Sequence, residues 1–217
     1  MINKRDLTIK LNHVILIDGF QRMSMGKLAS AIDVSRATLY SYFENKEEIV
    51  KAVVARYLQF ISDRPIPNTF TPDSFATVWL NSLLLMGSTT DRFNNDLQHG
   101  YPDLAYQLRA AEHDYFQRLL IYVEQAQQED FIEPTYDPNF ALFQANSLTQ
   151  SIIQQVRSKA ITLDLAELYL KDGINFSFAG LLTSTAKEHF NIQTIKPFEA
   201  VILSEFRKTY SLIELEQ

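Results

Sequence analysis

The chain has 217 residues, 46% of them apolar, a formal net charge of −6 and no cysteine. That is enough apolar matter for one or two compact domains with a sizeable core, and it excludes disulfides and thiolate chemistry. No basic-then-apolar leader opens the sequence and its apolar runs fall far short of a membrane span, so a cytoplasmic protein is expected.

The charge is unevenly spread. Residues 1–62 hold nine Lys/Arg and six Asp/Glu, a surplus of +3, whereas the rest holds eleven and twenty, a deficit of −9. A basic end could neutralise phosphates, while the acidic remainder reads as a solvated surface.

In chain order, Met1 to Asn3 reads as a frayed terminus. Lys4 to Ile17 follows as a helix with Leu7, Leu11, Val14 and Ile15 on one stripe, and Gly19 is placed to end it. Lys4 and Arg5 would either touch a nucleic-acid backbone or stay solvated, and His13, among apolar neighbours, reads as structural. Ser24 can cap a second helix in which Leu28, Ala29 and Ile32 share a face. Asp33-Val34 makes a turn. Ser35 then caps a third helix that turns Leu39 and Phe43 inward and Arg36, Ala37, Thr38, Tyr40, Ser41 and Tyr42 largely outward. Asn45 and Glu48 form a capping pair for a helix from Lys46 to about Ser62, with Ile49, Val50, Val53, Val54, Tyr57, Leu58 and Ile61 as its stripe. Two short helices joined by a turn, the second exposing small polar, aromatic and basic groups, make a helix-turn-helix suited to a major groove.

Pro65 and Pro67 end the connecting helix and mark a domain boundary. Thr71-Pro72 opens a helix to about Ser88. Asp91 to Gly100 reads as a polar connection with room for a short helix. Leu104 to about Gln128 reads as one helix or two in tandem, with Tyr115, Phe116, Leu119, Leu120 and Val123 inward. Asp137-Pro138 starts a helix to about Val156, Thr162 caps one to about Ala186, and Pro197 opens a last one to about Leu212. No β-alternation appears, so the fold class is all-α. The domains read as 1–45 for the helix-turn-helix, 46–64 for a connecting helix and 65–217 for the remainder.

The helix-turn-helix segment resembles the DNA-binding domain of the TetR family of bacterial transcriptional regulators. Gly19-Phe20, Ser24, Leu28-Ala29, Val34-Ser35, Thr38-Leu39-Tyr40, Tyr42-Phe43 and Lys46-Glu47 all stand in register with that family's pattern. The match covers about the first quarter of the chain. Where the family has Ala-Gly before the valine, this chain has Ile32-Asp33. Because Asp enters left-handed backbone less readily than Gly, a strained turn is expected there. Lys10-Leu11 likewise replaces an alanine pair in the first helix.

For DNA contact, Arg36 is the candidate for bidentate guanine readout and Ala37 for a thymine methyl. Thr38 and Ser41 offer hydroxyls to bases or phosphates. Lys27 and Ser35 complete the set, and the resemblance implies that Tyr40, Tyr42 and Lys46 bind phosphates. It also implies a homodimer through the helices at about 138–157 and 163–186. The second of these is apolar on more than one face and must bury both. It implies, further, a small-molecule effector in the second domain. Candidate lining residues are Phe75, Trp79, Leu83, Met86, Tyr101, Tyr106, Phe116, Tyr122, Phe143, Asn146, Gln150 and Phe176, an aromatic wall with amides that suits a flat or amphipathic compound. The expected function is a regulator, a repressor by the family's habit, released from a pseudo-palindromic operator by its ligand. The alternative is a protein-interaction module on the same fold without an inducer. No cofactor, metal or catalysis is expected, since His99 and His113 lack a third ligand and no nucleophile or phosphate-loop motif occurs.

Overall fold

A computed structural model describes residues 3–210, which among them form eleven α-helices, one short 3-10 segment and no strand. Met1 and Ile2, and the expected extension of the last helix to Leu212, lie outside the described residues. The chain forms two compact units. One comprises residues 3–63 together with 89–112; the other comprises 64–88 and 113–210. The boundary at the prolines is therefore only half of the division, because the chain returns to the first unit at Thr89.

The first unit opens with α1 (Lys4–Asp18), α2 (Met25–Ala31), α3 (Arg36–Tyr40) and α4 (Lys46–Asp63). Each start has a side-chain cap: Asn3 accepts from Asp6 N, Ser24 from Lys27 N, Ser35 from Thr38 N and Asn45 from Glu48 N at 3.0 Å. Glu48 reaches back to Glu44 N at 2.9 Å, one residue earlier than a standard capping box, so the pair closes on the loop rather than on the cap. Asp33 holds φ +56° in the α2–α3 turn, the left-handed conformation that Gly takes without penalty.

The stretch read as a polar connection with room for a short helix is helical throughout, α6 (Asp91–Gly100), capped by Thr90. Its Phe93 and Leu97 enter the core formed by Leu7, Leu11 and Ile15 of α1, Phe20, Leu28, Leu39, Phe43 and the apolar stripe of α4. Thr90 Oγ1 also donates to Leu16 O at 2.8 Å, a buried bond between α6's cap and the last turn of α1. Ala105 and Leu108 of α7 (Pro102–Gln128) complete this core, and α7 continues unbroken into the second unit as one helix.

The second unit contains α5 (Pro72–Met86), the rest of α7, α8 (Pro138–Arg157), α9 (Leu163–Leu181), α10 (Ser184–His189) and α11 (Lys196–Tyr210). Phe75 stacks on Trp79, and Phe70, Phe131 and Phe178 pack edge-on or tilted around Phe75 and each other. Gln125 of α7 accepts from Phe70 N and donates to Asn68 O, fixing the segment after the prolines. Arg207 of α11 joins Glu167 and Asp164 of α9, each at 2.5 Å.

The helix from Thr162 does not reach Ala186. Leu182 is extended and pairs antiparallel with Ile132, Glu133 N donating to Leu181 O and Thr183 N to Phe131 O. Thr183 Oγ1 donates to Asp130 O at 2.8 Å and also accepts from Ala186 N, capping α10. A bridge to the loop after α7 thus outcompetes continuation of a sequence with ordinary helix propensity.

Candidate DNA interface

The exposed part of the helix-turn-helix is built from α3 upward. Leu39 is fully buried and anchors α3, with Phe43 buried just beyond it. A helix anchored on one side presents the residues between its anchors to the other, and Arg36, Ala37, Tyr40 and Ser41 are exposed. Thr38 and Tyr42 are half-buried.

The hydroxyls on α3 have local partners. Ser35 Oγ accepts from Thr38 N at 2.9 Å and pairs with Thr38 Oγ1 at 2.8 Å, while Ser41 Oγ donates to Thr38 O at 2.7 Å. These bonds close the ends of a five-residue helix whose peptide groups have few internal partners. Ser41 Oγ and Thr38 Oγ1 each keep a lone pair that can accept.

Arg36 and Tyr40, one turn apart, are a pair. The guanidinium carbon lies 5.3 Å from the Tyr40 ring centroid, and Nη2 stands 3.5 Å from the hydroxyl. The cation is thereby aligned along the outer face of α3. Lys27 is exposed on α2. Lys4, at the start of α1, sits over the Phe43 ring at 4.8 Å.

Lys46 departs from the expectation of a phosphate contact. Its ammonium donates to Phe20 O and Gln21 O at 3.0 Å and to Met23 O at 3.2 Å. An ammonium has three protons, and all three have carbonyl acceptors in the α1–α2 loop. The same loop has a partner that sequence reasoning missed: Asp96 Oδ2 of α6 accepts from Phe20 N at 2.7 Å and Gln21 N at 2.9 Å. The cap at Thr90 and the apolar pair Phe93 and Leu97, four residues apart, were the available signal for α6.

The expected effector residues are not gathered at one cavity. Phe75, Trp79, Met86 and Tyr122 are buried in the second unit's core. Tyr122 OH is bonded to Ser74 at 2.7 Å, and burial raises its pKa. Leu83 and Phe116 are half-buried. Gln150 donates to Met86 O at 2.6 Å, so this amide closes α5 rather than facing a void. Phe143, Asn146 and Phe176 are exposed, and Tyr101 and Tyr106 belong to the first unit, Tyr101 packed on Phe20 and Tyr106 open to solvent. The second unit has a shallow cleft of about 200 Å³ between α8 and α9, lined by Tyr136, Phe140, Gln144, Phe176, Ser177 and Gly180 among others. Among the described residues no cluster of three or more His, Asp or Glu could hold a metal. Nor is any described helix long and apolar enough to cross a membrane.

An all-α chain whose first unit presents a capped, anchored helix-turn-helix has the architecture of a DNA-binding transcription regulator. Residues 14–53 match the family model of the bacterial regulatory proteins, tetR family, so this segment is a DNA-binding domain of that family's kind. Solved structures share the fold across both units. The ketosteroid transcriptional regulator KstR2 of Mycobacterium tuberculosis superposes with a TM-score of 0.62 at 13% identity, covering 85% of this chain and 98% of that one. A TetR transcriptional regulator from Chloroflexus aurantiacus gives 0.52 at 12% identity, covering 83% and 96%. AibR in complex with isovaleryl coenzyme A and operator DNA gives 0.51 at 18% identity, covering 82% and 98%. At these identities the likeness is one of fold. No curated protein matches the chain in sequence.

Proposed function

We propose that the protein is a homodimeric, cytoplasmic transcriptional repressor that reads a pseudo-palindromic operator and leaves it when a small molecule binds the second unit. The observation that carries the DNA part is the outer face of α3, where Arg36, Ala37, Tyr40 and Ser41 stand exposed beside the buried Leu39. Two such faces, about 34–36 Å apart, would fit successive major grooves on one side of a duplex. Arg36 reads guanine, Ala37 contacts a thymine methyl, Tyr40 and Tyr42 position the helix on phosphates with Lys27, and Ser35, Thr38 and Ser41 accept or donate at its ends.

The dimer rests on α8 and α9. Phe140, Phe143 and Leu148 of α8 and Leu168, Tyr169 and Phe176 of α9 are exposed, a concentration of large apolar groups that a monomer would leave wet. Gly173 lets the pair approach closely, since a Cβ there would lie 2.7 Å from Leu148 Cδ2. The switch is a population shift: an amphipathic effector lowers operator affinity by as much as it prefers the conformation that does not fit DNA. AibR, of the same fold, was solved with both an acyl coenzyme A and operator DNA, which supports this class of behaviour.

The test is salt-dependent binding to DNA from the protein's own upstream region. Tight binding with a steep negative slope in log salt, and rejection of scrambled DNA, is expected. Arg36→Ala should then cost about 1–3 kcal/mol and relax specificity at one base pair. Weak parental binding that is indifferent to sequence would favour the interaction module, a reading supported by the filled aromatic core of the second unit.

A further inference from the structure

The α1–α2 loop is held from two sides by opposite charges. Two consecutive peptide N–H groups, those of Phe20 and Gln21, converge on one oxygen of Asp96. The carbonyls of Phe20, Gln21 and Met23 converge on the Lys46 ammonium. Hydrogen bonds to charged groups are the stronger kind, and here both the donors and the acceptors of one short segment are engaged. The Phe20 ring adds an apolar tie, 6.2 Å from Phe93 and 5.8 Å from Tyr101.

Gly19 fits the same arrangement. Its φ is +75°, and a Cβ there would stand 2.4 Å from Asp96 Oδ2 and 2.8 Å from Arg92 Nε. A side chain at position 19 would displace the carboxylate from its seat. Immediately after the loop Ser24 caps α2, so the tilt of α2, and of α3 packed on it, follows from where the loop is fixed.

We infer that Asp96 and Lys46 form a clamp that fixes the α1–α2 loop and with it the seat of the helix-turn-helix, which makes Asp96 a positioning residue for DNA docking. The inference rests on the DNA-binding reading above. It has a distinctive sign. A carboxylate carried on a DNA-binding unit opposes phosphate, so on charge alone its removal tightens binding. As a clamp its removal loosens it. Lys46, in turn, acts through the loop and leaves the count of neutralised phosphates unchanged.

The wild-type chain first enriches a duplex from a random-sequence pool, and that duplex is the probe. Asp96→Ala should weaken binding about tenfold, with Asp96→Asn, which keeps an acceptor oxygen, recovering part of the loss. Lys46→Gln should also weaken binding, with the slope of log K against log salt unchanged for all three variants. Hydrogen exchange at the Phe20 and Gln21 amides should quicken in Asp96→Ala while α4 stays protected, which separates a freed loop from a failed fold. A wild-type chain that enriches no duplex overturns the DNA reading and the clamp's role together. Wild-type binding with equal or tighter binding by both Asp96 variants overturns the clamp alone. A slope shallower by about one in Lys46→Gln shows a phosphate ligand and overturns its share of the clamp.

Discussion

At the scale of single residues, Asp33 and Glu112 each stand in conflict with their surroundings. Asp33 occupies the left-handed region at φ +56°, where a Cβ is crowded and Gly is not. Asp33→Gly should raise stability by up to about 1 kcal/mol, and Asp33→Ala should lower it by about 1 kcal/mol, measured by urea denaturation. Glu112 is the second. Burial pushes its carboxyl from 4.5 up to about 7. The folded state therefore binds this proton more tightly than the unfolded chain does. Glu112's burden on stability is absent below pH 4.5, grows between 4.5 and about 7, and stays at its full value above that. Glu112→Gln should flatten that decline and leave the variant more stable than the parent at pH 8. Parallel stability–pH curves for the two proteins would refute it.

At the scale of elements, what was legible in the sequence was what local chemistry decides. Ser24, Ser35, Asn45, Thr71-Pro72 and Asp137-Pro138 announce helix starts because an orphan N–H needs an acceptor and proline tolerates the first turn. The α3 residues that could face DNA were legible for the same reason, since Leu39 and Phe43 can only point inward. The misses are tertiary. Nothing local tells Leu182 to leave the helix; its partner Ile132 lies fifty residues earlier. Lys46 was read from its family position, yet the carbonyls that receive it are more than twenty residues away. Asp96 was invisible because its partners are backbone amides about seventy-five residues distant. Thr183 gives this scale its prediction: Thr183→Ala removes the α10 cap and the bond to Asp130 O together. It should cost about 1–2 kcal/mol by thermal or chemical denaturation, more than either bond alone at an exposed site. A change within a few tenths of a kcal/mol would mean the bridge, not the cap, ends α9.

At the scale of the whole molecule, the sequence foretold an all-α chain, and the helices of the described residues bear that out. It did not foretell which apolar residues meet. Phe143 and Phe176 were assigned to an effector wall beside Phe75 and Trp79, although aromatic content alone cannot separate an inward wall from an outward face. Their exposures of 67% and 65% place them on the face proposed for the second copy. Phe143→Glu together with Phe176→Glu should shift the protein from dimer to monomer in sedimentation velocity at micromolar concentration. Helicity should be retained, because neither side chain supports the core of its own unit. Operator affinity should fall with it, as one recognition helix alone forfeits the second half-site. A double variant that remains dimeric would place the two-fold contact elsewhere.

The first unit is discontinuous along the chain, joining residues 3–63 to 89–112. Its centre includes Phe93, which is fully enclosed and packs against both Phe20 and Tyr57. The reading head is therefore not a detachable cassette. A fragment cut after residue 63 would lack the plug that fills its middle and should stay soft or unfolded. A graft that swaps DNA specificity between such proteins would have to carry α6 as well, although α6 contributes no side chain to the exposed face of α3.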